Sequence, residues 1–208
     1  MRIIFLIMCI VSVGYAQHKL PFASQNNRIE LSVANTSSIA TSNVVVAVTS
    51  APQWLKFTEK EQKFSELSSQ SSSLAHFSFS VDKLAPVNKS EEVTFTIINS
   101  NGERWTKTLL LQVSAPEKFE LFQNYPNPFN PSTTISYQLP ADSKVRITIY
   151  NTLGQEITTL FDGIRSAGYY QEVWNARSVA SGMYIYQITS ESNDGKKEHA
   201  RKTMILVK

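Results

Sequence analysis

Apolar and polar residues alternate along much of this chain with a period of two, which is the pattern of a β-strand that buries one face. In residues 75–81 the odd positions are apolar and the even positions are polar. The same alternation returns at 93–97 and at 145–150. We therefore expect Val145, Ile147 and Ile149 to face a core, and Arg146, Thr148 and Tyr150 to face outward.

The first half of the chain predicts a β-sandwich. A serine-rich stretch at 65–73 is read as an ordered loop between sandwich strands, because neither flank has enough strands to close a sandwich alone; a flexible linker is the alternative. Asn-Ser-Asn-Gly at 99–102 is a hairpin signal. The predicted strands are 28–35, 44–49, 55–58, 75–82, 92–99 and 104–113.

The second half predicts another sandwich. Short extended segments are separated by turn signals, which is the spacing of an immunoglobulin-like or fibronectin-like domain. Residues 114–118, with Pro116 ending the previous strand, form the expected boundary and an accessible hinge. The predicted segments are 120–124, 133–139, 144–151, 156–161, 169–174, 183–192 and 199–207.

The first sixteen residues have the pattern of a secretory signal. Arg2 precedes an apolar run at 3–11 that is too short to span a bilayer. Small residues at Gly14 and Ala16 then favour cleavage before Gln17. A buried first strand is the alternative interpretation.

Composition narrows the class of protein. The chain has 208 residues, a formal net charge of +3, 42% hydrophobic and 18% charged residues, which fits folded domains and gives no basis for nucleic-acid binding. Cys9 is the only cysteine and lies inside the predicted signal. Met8 stands before it where a lipoprotein signal needs a small residue, which disfavours lipid attachment. The mature protein is thus expected to fold without disulfides.

The segment 125–131 reads Tyr-Pro-Asn-Pro-Phe-Asn-Pro and cannot be a central strand, because its three prolines lack backbone donors. A polyproline helix would place Asn124, Asn127 and Asn130 on one stripe. The segment is expected to cap a sheet edge, with its asparagine amides bonding unpaired backbone. A docking surface is the alternative.

Residues 119–208 resemble the type A C-terminal sorting domain of proteins exported by the type IX secretion system of Bacteroidetes and related bacteria. They also look like the immunoglobulin-like domain of flagellar hook-capping proteins, but the position at the end of the chain favours sorting. The resemblance is carried by segments 125–140, 145–155, 167–168, 174–175, 181–186 and 202–208.

The resemblance implies export through the periplasm and across the outer membrane to the surface or the medium. The implied partners are the translocon and a surface sortase-like peptidase that cuts near 114–118, with lipopolysaccharide as an attachment partner after processing. Met204 and Leu206 are expected to be packed and Lys202 and Lys208 exposed. The residues assigned to the sorting signal are Pro126, Asn127, Pro128, Phe129, Asn130, Pro131, Gly154, Gly168, Trp174, Gly182, Tyr184, Lys202 and Lys208.

The sequence offers little support for catalysis. His18, His76 and His199 are not paired at metal-binding spacing, and no phosphate loop or nucleophile elbow is present. Asp142, Asp162 and Asp194 are expected in turns. Trp54 and Trp105 could form a platform for sugars, but burial in the core is favoured for both. We expect no enzyme activity, no cofactor and no metal.

The sequence thus predicts an all-β fold: two immunoglobulin/fibronectin-like β-sandwich domains in tandem after a cleaved signal peptide. The domains are 1–16 (signal), 17–115 (cargo) and 116–208 (sorting). The cargo resembles generic immunoglobulin-like accessory domains of secreted bacterial proteins, on segments 28–35 and 67–82, and is expected to be an interaction domain. The alternatives are a carbohydrate-binding module and the remnant tail of a larger secreted hydrolase.

Overall fold

The computed structural model describes residues 2–3 and 17–208, and this part of the chain is built of β-strands without helices. It contains no helix that is long and apolar enough to cross a membrane. Two compact units divide the chain, Met1–Ser114 and Ala115–Lys208, called here the N-terminal and C-terminal domains. Both are β-sandwiches, as the alternation of apolar and polar residues predicted.

The N-terminal domain consists of two sheets whose strand orders are β1-β3-β7-β5 and β2-β9-β8-β4-β6. Most neighbouring strands are antiparallel, but β1 pairs parallel with β3 and β2 pairs parallel with β9. The strands are β1 (Arg2–Ile3), β2 (Gln17–Leu20), β3 (Asn27–Asn35), β4 (Thr41–Ser50), β5 (Leu55–Phe57), β6 (Glu61–Leu67), β7 (Ser71–Val81), β8 (Ser90–Ile98) and β9 (Arg104–Val113).

The core of this domain forms where the apolar faces of the two sheets meet. Ala75, Phe77, Phe79 and Val81 are buried on one face of β7, as their alternation predicted. Phe77 packs on Phe95 of β8 with ring centroids 5.2 Å apart. Such aromatic pairs add to the stabilisation that burial of their apolar area provides.

The serine-rich segment differs from the prediction. It was expected to be a loop, but most of 65–73 lies in β6 and β7, and only 68–70 form the connection between them. Leu67 is 3% exposed and anchors the end of β6. The small serine side chains suit the solvent-facing positions of these strands. The strands were not predicted because a run of serines shows no alternation of apolar and polar residues.

The C-terminal domain pairs a three-stranded sheet, ordered β10-β11-β14, with a four-stranded sheet, ordered β13-β12-β15-β16. Each of the seven predicted segments overlaps a strand, although only residues 120 and 121 of the predicted 120–124 lie in one. The strands are β10 (Glu120–Leu121), β11 (Ser132–Leu139), β12 (Ser143–Asn151), β13 (Glu156–Arg165), β14 (Gly168–Asn175), β15 (Gly182–Ser192) and β16 (Lys197–Leu206).

Val145, Ile147 and Ile149 are fully buried in the core of this domain, as predicted. Thr148 was expected to face outward and yet is 3% exposed. Its hydroxyl is covered on the outer face of the sheet, where it lies 3.4 Å from the Thr159 hydroxyl and accepts a hydrogen bond from Arg146 Nε. Neighbouring side chains therefore bury it.

The segment between the two domains is accessible only in part. Pro116 is buried, whereas Glu117 and Lys118 are exposed. Ser114 is tied to the N-terminal domain, because its backbone N–H donates to Leu20 O over 2.9 Å. The exposed part of the expected 114–118 hinge is thus limited to Glu117 and Lys118. The predicted signal cleavage site at Ala16 lies outside the described residues, and Gln17 begins β2.

Candidate functional site

The segment 125–131 runs along the outer edge of β16, the last strand of the chain. Phe129 N–H donates to Ile205 O (2.9 Å), and Val207 N–H donates to Phe129 O (3.0 Å). The Asn127 side-chain oxygen accepts a hydrogen bond from Ile205 N–H at 2.9 Å. The peptide bonds before its three prolines are cis. These contacts confirm the predicted edge cap, in which an asparagine amide satisfies strand backbone.

The predicted asparagine stripe is wrong. Asn124 is 2% exposed, but Asn127 and Asn130 are exposed, so the three do not share one environment. The segment is instead held by Phe129, which is 2% exposed. Pro126 and Pro128 are exposed and Pro131 is half-buried. A buried aromatic side chain and the strand edge, more than the proline spacing, set the course of this segment.

Three aromatic residues of the sorting-signal set lie together below the cap. The Phe129 ring is 5.4 Å from the Trp174 ring, and Trp174 meets Tyr184 edge-on at 5.2 Å. Tyr184 OH donates to Ala180 O at 2.7 Å. Trp174 is 4% and Tyr184 7% exposed. Their role is therefore to fix the cap and the loop before β15.

Lys208 is bound at the same end of the domain. Its ammonium donates to Arg177 O at 2.8 Å and also to Val179 O, and its backbone N–H donates to Ser181 Oγ at 3.1 Å. The prediction that Lys208 is exposed is correct for the residue as a whole, although its charged end is bound to loop carbonyls.

Other members of the set are spread over the domain. Gly154 (φ +79°) in the β12–β13 turn and Gly182 at the start of β15 lie at the same end as Lys208, since Asn151 pairs with Tyr184. Gly168 pairs with Leu139 at the opposite end. Lys202, expected to be exposed, is half-buried, because it lies on the face of β16 that also carries the buried Met204 and Leu206.

Sequence reasoning missed a group of exposed apolar residues at this end. Ile205 and Val207, which alternate with buried Met204 and Leu206, are 42% and 52% exposed. Met183, paired with Ile205 across the β15–β16 ladder, is 51% exposed. We call Met183, Ile205 and Val207 the terminal apolar surface. The signal that could have revealed it is the presence of apolar residues on both faces of the last strand.

The tryptophans of the N-terminal domain have different surroundings. Trp54 is 8% exposed, and its indole N–H donates to Glu91 Oε2 at 3.1 Å, so the expected burial is correct for this residue. Trp105 is half-buried: it packs against the core and lines an open pocket. The two rings do not form an exposed coplanar platform.

The candidate chemical residues lie apart. His76 lies beside Glu30, with 3.5 Å between Nδ1 and Oε1, and His199 is on the outer face of β16. Asp142 and Asp194 are in turns as expected, whereas Asp162 lies in β13 and forms an ion pair with Arg146 at 3.6 Å. Across the described ranges, no three His, Cys, Asp or Glu residues form a group that could hold a metal ion.

The C-terminal domain thus combines a β-sandwich with a capped last strand. The family described as "Secretion system C-terminal sorting domain" matches residues 123–204. The C-terminal domain belongs to this family, the sorting domain of the type IX secretion system. The chain therefore carries a tail typical of proteins sorted for secretion.

Comparison with other proteins adds little about the N-terminal domain. No curated protein matches the chain. Among solved structures, the CupB2 chaperone of Pseudomonas aeruginosa is 11% identical, with 92% of this chain and 99% of that chain covered and a TM-score of 0.33. Dimeric latent PorU of Porphyromonas gingivalis is 12% identical, with coverages of 97% and 20% and a TM-score of 0.37. Similarities this weak give no information about function.

Proposed function

We propose that this protein is an exported, non-enzymatic surface or secreted protein whose C-terminal domain directs it through the type IX secretion system. The observation that carries the proposal is the family match at residues 123–204. The N-terminal domain is the cargo and acts as an interaction or accessory domain. The translocon and its sortase-like peptidase are the proposed partners, and the protein reaches the surface through the periplasm and the outer membrane.

We further propose that the translocon contacts the terminal apolar surface. Exposed apolar side chains that cluster beside one another are typical of protein interaction sites. Met183, Ile205 and Val207 lie beside the capped edge and the bound Lys208, so they are displayed in one defined geometry. A flexible tail would lose conformational entropy when it becomes ordered on binding. This surface is already ordered, so that cost is avoided.

Point substitutions test this proposal better than truncation. Deletion of 202–208 would remove Met204 and Leu206 from the core, so a loss of sorting could simply reflect unfolding. The double substitution Ile205→Ser and Val207→Ser changes exposed side chains and leaves the backbone bonds of the cap in place. The matched control is Ile164→Ser with Val173→Ser, which changes two exposed apolar residues elsewhere in the domain.

The readout is surface display in a host that carries the secretion system. We expect the Ile205/Val207 variant to accumulate in the periplasm and the control variant to be displayed like the parent. Equal display of both variants would reject the role of this surface. Periplasmic retention of the unmodified protein would reject the sorting proposal itself.

Processing is proposed at the exposed pair Glu117 and Lys118, within the expected 114–118 segment. A peptidase needs an extended, accessible backbone, and loops between domains supply it. Attachment of the released cargo to lipopolysaccharide would follow the cut. Mass determination of the surface form checks this: a species that begins near Gln17 and ends near Glu117 is expected. A surface form with Lys208 still present would contradict cleavage.

A further inference from the structure

One end of the N-terminal sandwich is open and forms a pocket of about 330 Å³. Its floor is made by side chains at the strand ends, among them Val33, Leu67 and Ile97, which are buried. Ile39, in the loop between β3 and β4, is 74% exposed at its rim. Binding sites for small molecules are typically concave and apolar with a few polar groups.

Trp105 supplies an aromatic wall. It is half-buried, with part of the ring against the core and part lining the pocket. Its indole N–H has no hydrogen-bond partner in the described part of the chain. This contrasts with Trp54, whose N–H is bound to Glu91. Trp105 thus offers both an apolar ring and a free donor.

Several polar groups at the pocket have unused bonding capacity. Thr41 Oγ1, on a residue that lines the pocket, is buried without a hydrogen-bond partner. The exposed Asn101 side chain makes no hydrogen bond within the described residues. The Glu103 carboxylate accepts one bond, from Asn99 Nδ2 at 2.6 Å, and a carboxylate can accept more. The two exposed side chains, Asn101 and Glu103, are the ones that a ligand in the pocket can reach.

We infer that this pocket binds a single saccharide residue. A sugar ring has apolar C–H faces that can stack on Trp105, and hydroxyl groups that both donate and accept. These hydroxyls match the mixed set offered by Asn101 and Glu103 together with the indole N–H. The inference rests on the proposal that the N-terminal domain is an interaction domain, and it is independent of the sorting proposal.

An apolar peptide side chain fits the pocket less well. It would fill the floor formed by Val33, Leu67 and Ile97, but it would leave the indole N–H and the polar side chains of the rim without partners. Desolvating polar groups without replacing their hydrogen bonds is unfavourable. A ligand that carries hydroxyl groups around an apolar face satisfies both parts of the lining.

The test is an NMR titration of the purified protein, following the Trp105 indole N–H signal. The probes are methyl glycosides of glucose, galactose and mannose, and N-acetylglucosamine; N-acetyl-phenylalanine amide is the comparison probe. The variants are Asn101→Ala and Glu103→Gln. The matched control is Glu59→Gln, an exposed glutamate outside the pocket.

We expect at least one saccharide to give saturable shifts with a dissociation constant of about 1 mM, and each pocket variant to weaken it by about five-fold. Glu59→Gln should bind like the parent. Absence of saturable shifts with every saccharide, or equal affinity in parent and pocket variants, would overturn the inference. Saturable binding of N-acetyl-phenylalanine amide alone would also overturn it, while supporting an interaction domain with a peptide ligand.

Discussion

The hydroxyl group of Tyr186 connects two parts of the C-terminal domain that are distant in sequence. It donates to Phe122 O and accepts from Asn124 N–H, both at 2.9 Å, and the residue is fully buried. Asn124 in turn donates from Nδ2 to Pro126 O and to Thr133 Oγ1. One side chain on β15 thus fixes the backbone at the start of the capping segment.

Replacement of Tyr186 by Phe should destabilise the domain. The change leaves the buried Asn124 N–H without its acceptor, which costs about 1–3 kcal/mol when no water replaces it, and removes the donor to the partly buried Phe122 C=O. Urea denaturation followed by the NMR signal of the Trp174 indole N–H measures the loss. Tyr125→Phe is the matched control, because Tyr125 is 82% exposed and should unfold like the parent. Equal free energies of unfolding for both variants would contradict the role of the hydroxyl.

Stability should also fall at high pH. Burial raises the pKa of Tyr186 to about 12, although the hydrogen bond from Asn124 opposes the shift. Between about pH 10 and pH 12 the unfolded chain loses this proton while the folded chain keeps it. The contribution of Tyr186 to the free energy of unfolding is therefore fully present below about pH 10 and declines above it. The decline attributable to Tyr186 is at most about 3 kcal/mol.

Urea denaturation at stepped pH checks this expectation. Burial also raises the pKa values of Tyr137 and Tyr170, so the parent should show the combined decline. In Tyr186→Phe the decline should be smaller. An identical pH dependence in parent and variant would contradict the assignment to Tyr186.

At the scale of elements, the capping segment stands in place of a further strand on the edge of β16. Phe129 exchanges backbone hydrogen bonds with Ile205 and Val207, and Asn127 binds Ile205 N–H. Unpaired strand edges favour association with other chains, and covering them is a usual protection.

Substitution of Phe129 by Ala should uncover this edge. Loss of the buried ring costs about 3–5 kcal/mol, because it leaves a cavity against Trp174. We expect a lower melting temperature and faster hydrogen exchange at Ile205 N–H. A milder variant, Asn127→Ala, should affect mainly that exchange.

Asn130→Ala is the control for both, since Asn130 is exposed in the same segment. If Ile205 exchanges as slowly in Asn127→Ala as in the parent, the side-chain bond does not protect the edge.

Alternation predicted most strands, because each needs only a local apolar pattern. The edge cap was also predictable, because prolines exclude a central strand. The side-chain contacts of the capping segment and the pocket of the N-terminal domain could not be predicted from the sequence. The buried position of Phe129 depends on Trp174, and the half-buried position of Trp105 depends on loops far away in sequence. The serine-rich strands also gave no signal, since serine has no apolar face to alternate.

At the scale of the whole molecule, each domain has its own core, one around Phe77 and Phe95 and the other around Tyr137 and Ile147. The strand ladders stay within one domain across the described residues. Domains with separate cores usually fold separately.

We therefore expect polypeptides 17–114 and 115–208, expressed alone, each to unfold cooperatively. Circular dichroism and amide NMR spectra check the folding of each. Spectra of the separate domains should together reproduce most signals of the full chain. A disordered spectrum for either piece would show that its fold depends on the other.

The hydrogen bonds between Phe129 and the last residues have a consequence for synthesis. The backbone N–H and C=O of Phe129, near the beginning of the C-terminal domain, have no strand partner until Ile205 and Val207 have been made. A ribosome that stops early releases a chain whose first segment cannot close on the final strand. A chain that stops before Ile205 therefore lacks both the strand edge that this segment covers and the surface proposed as the export address.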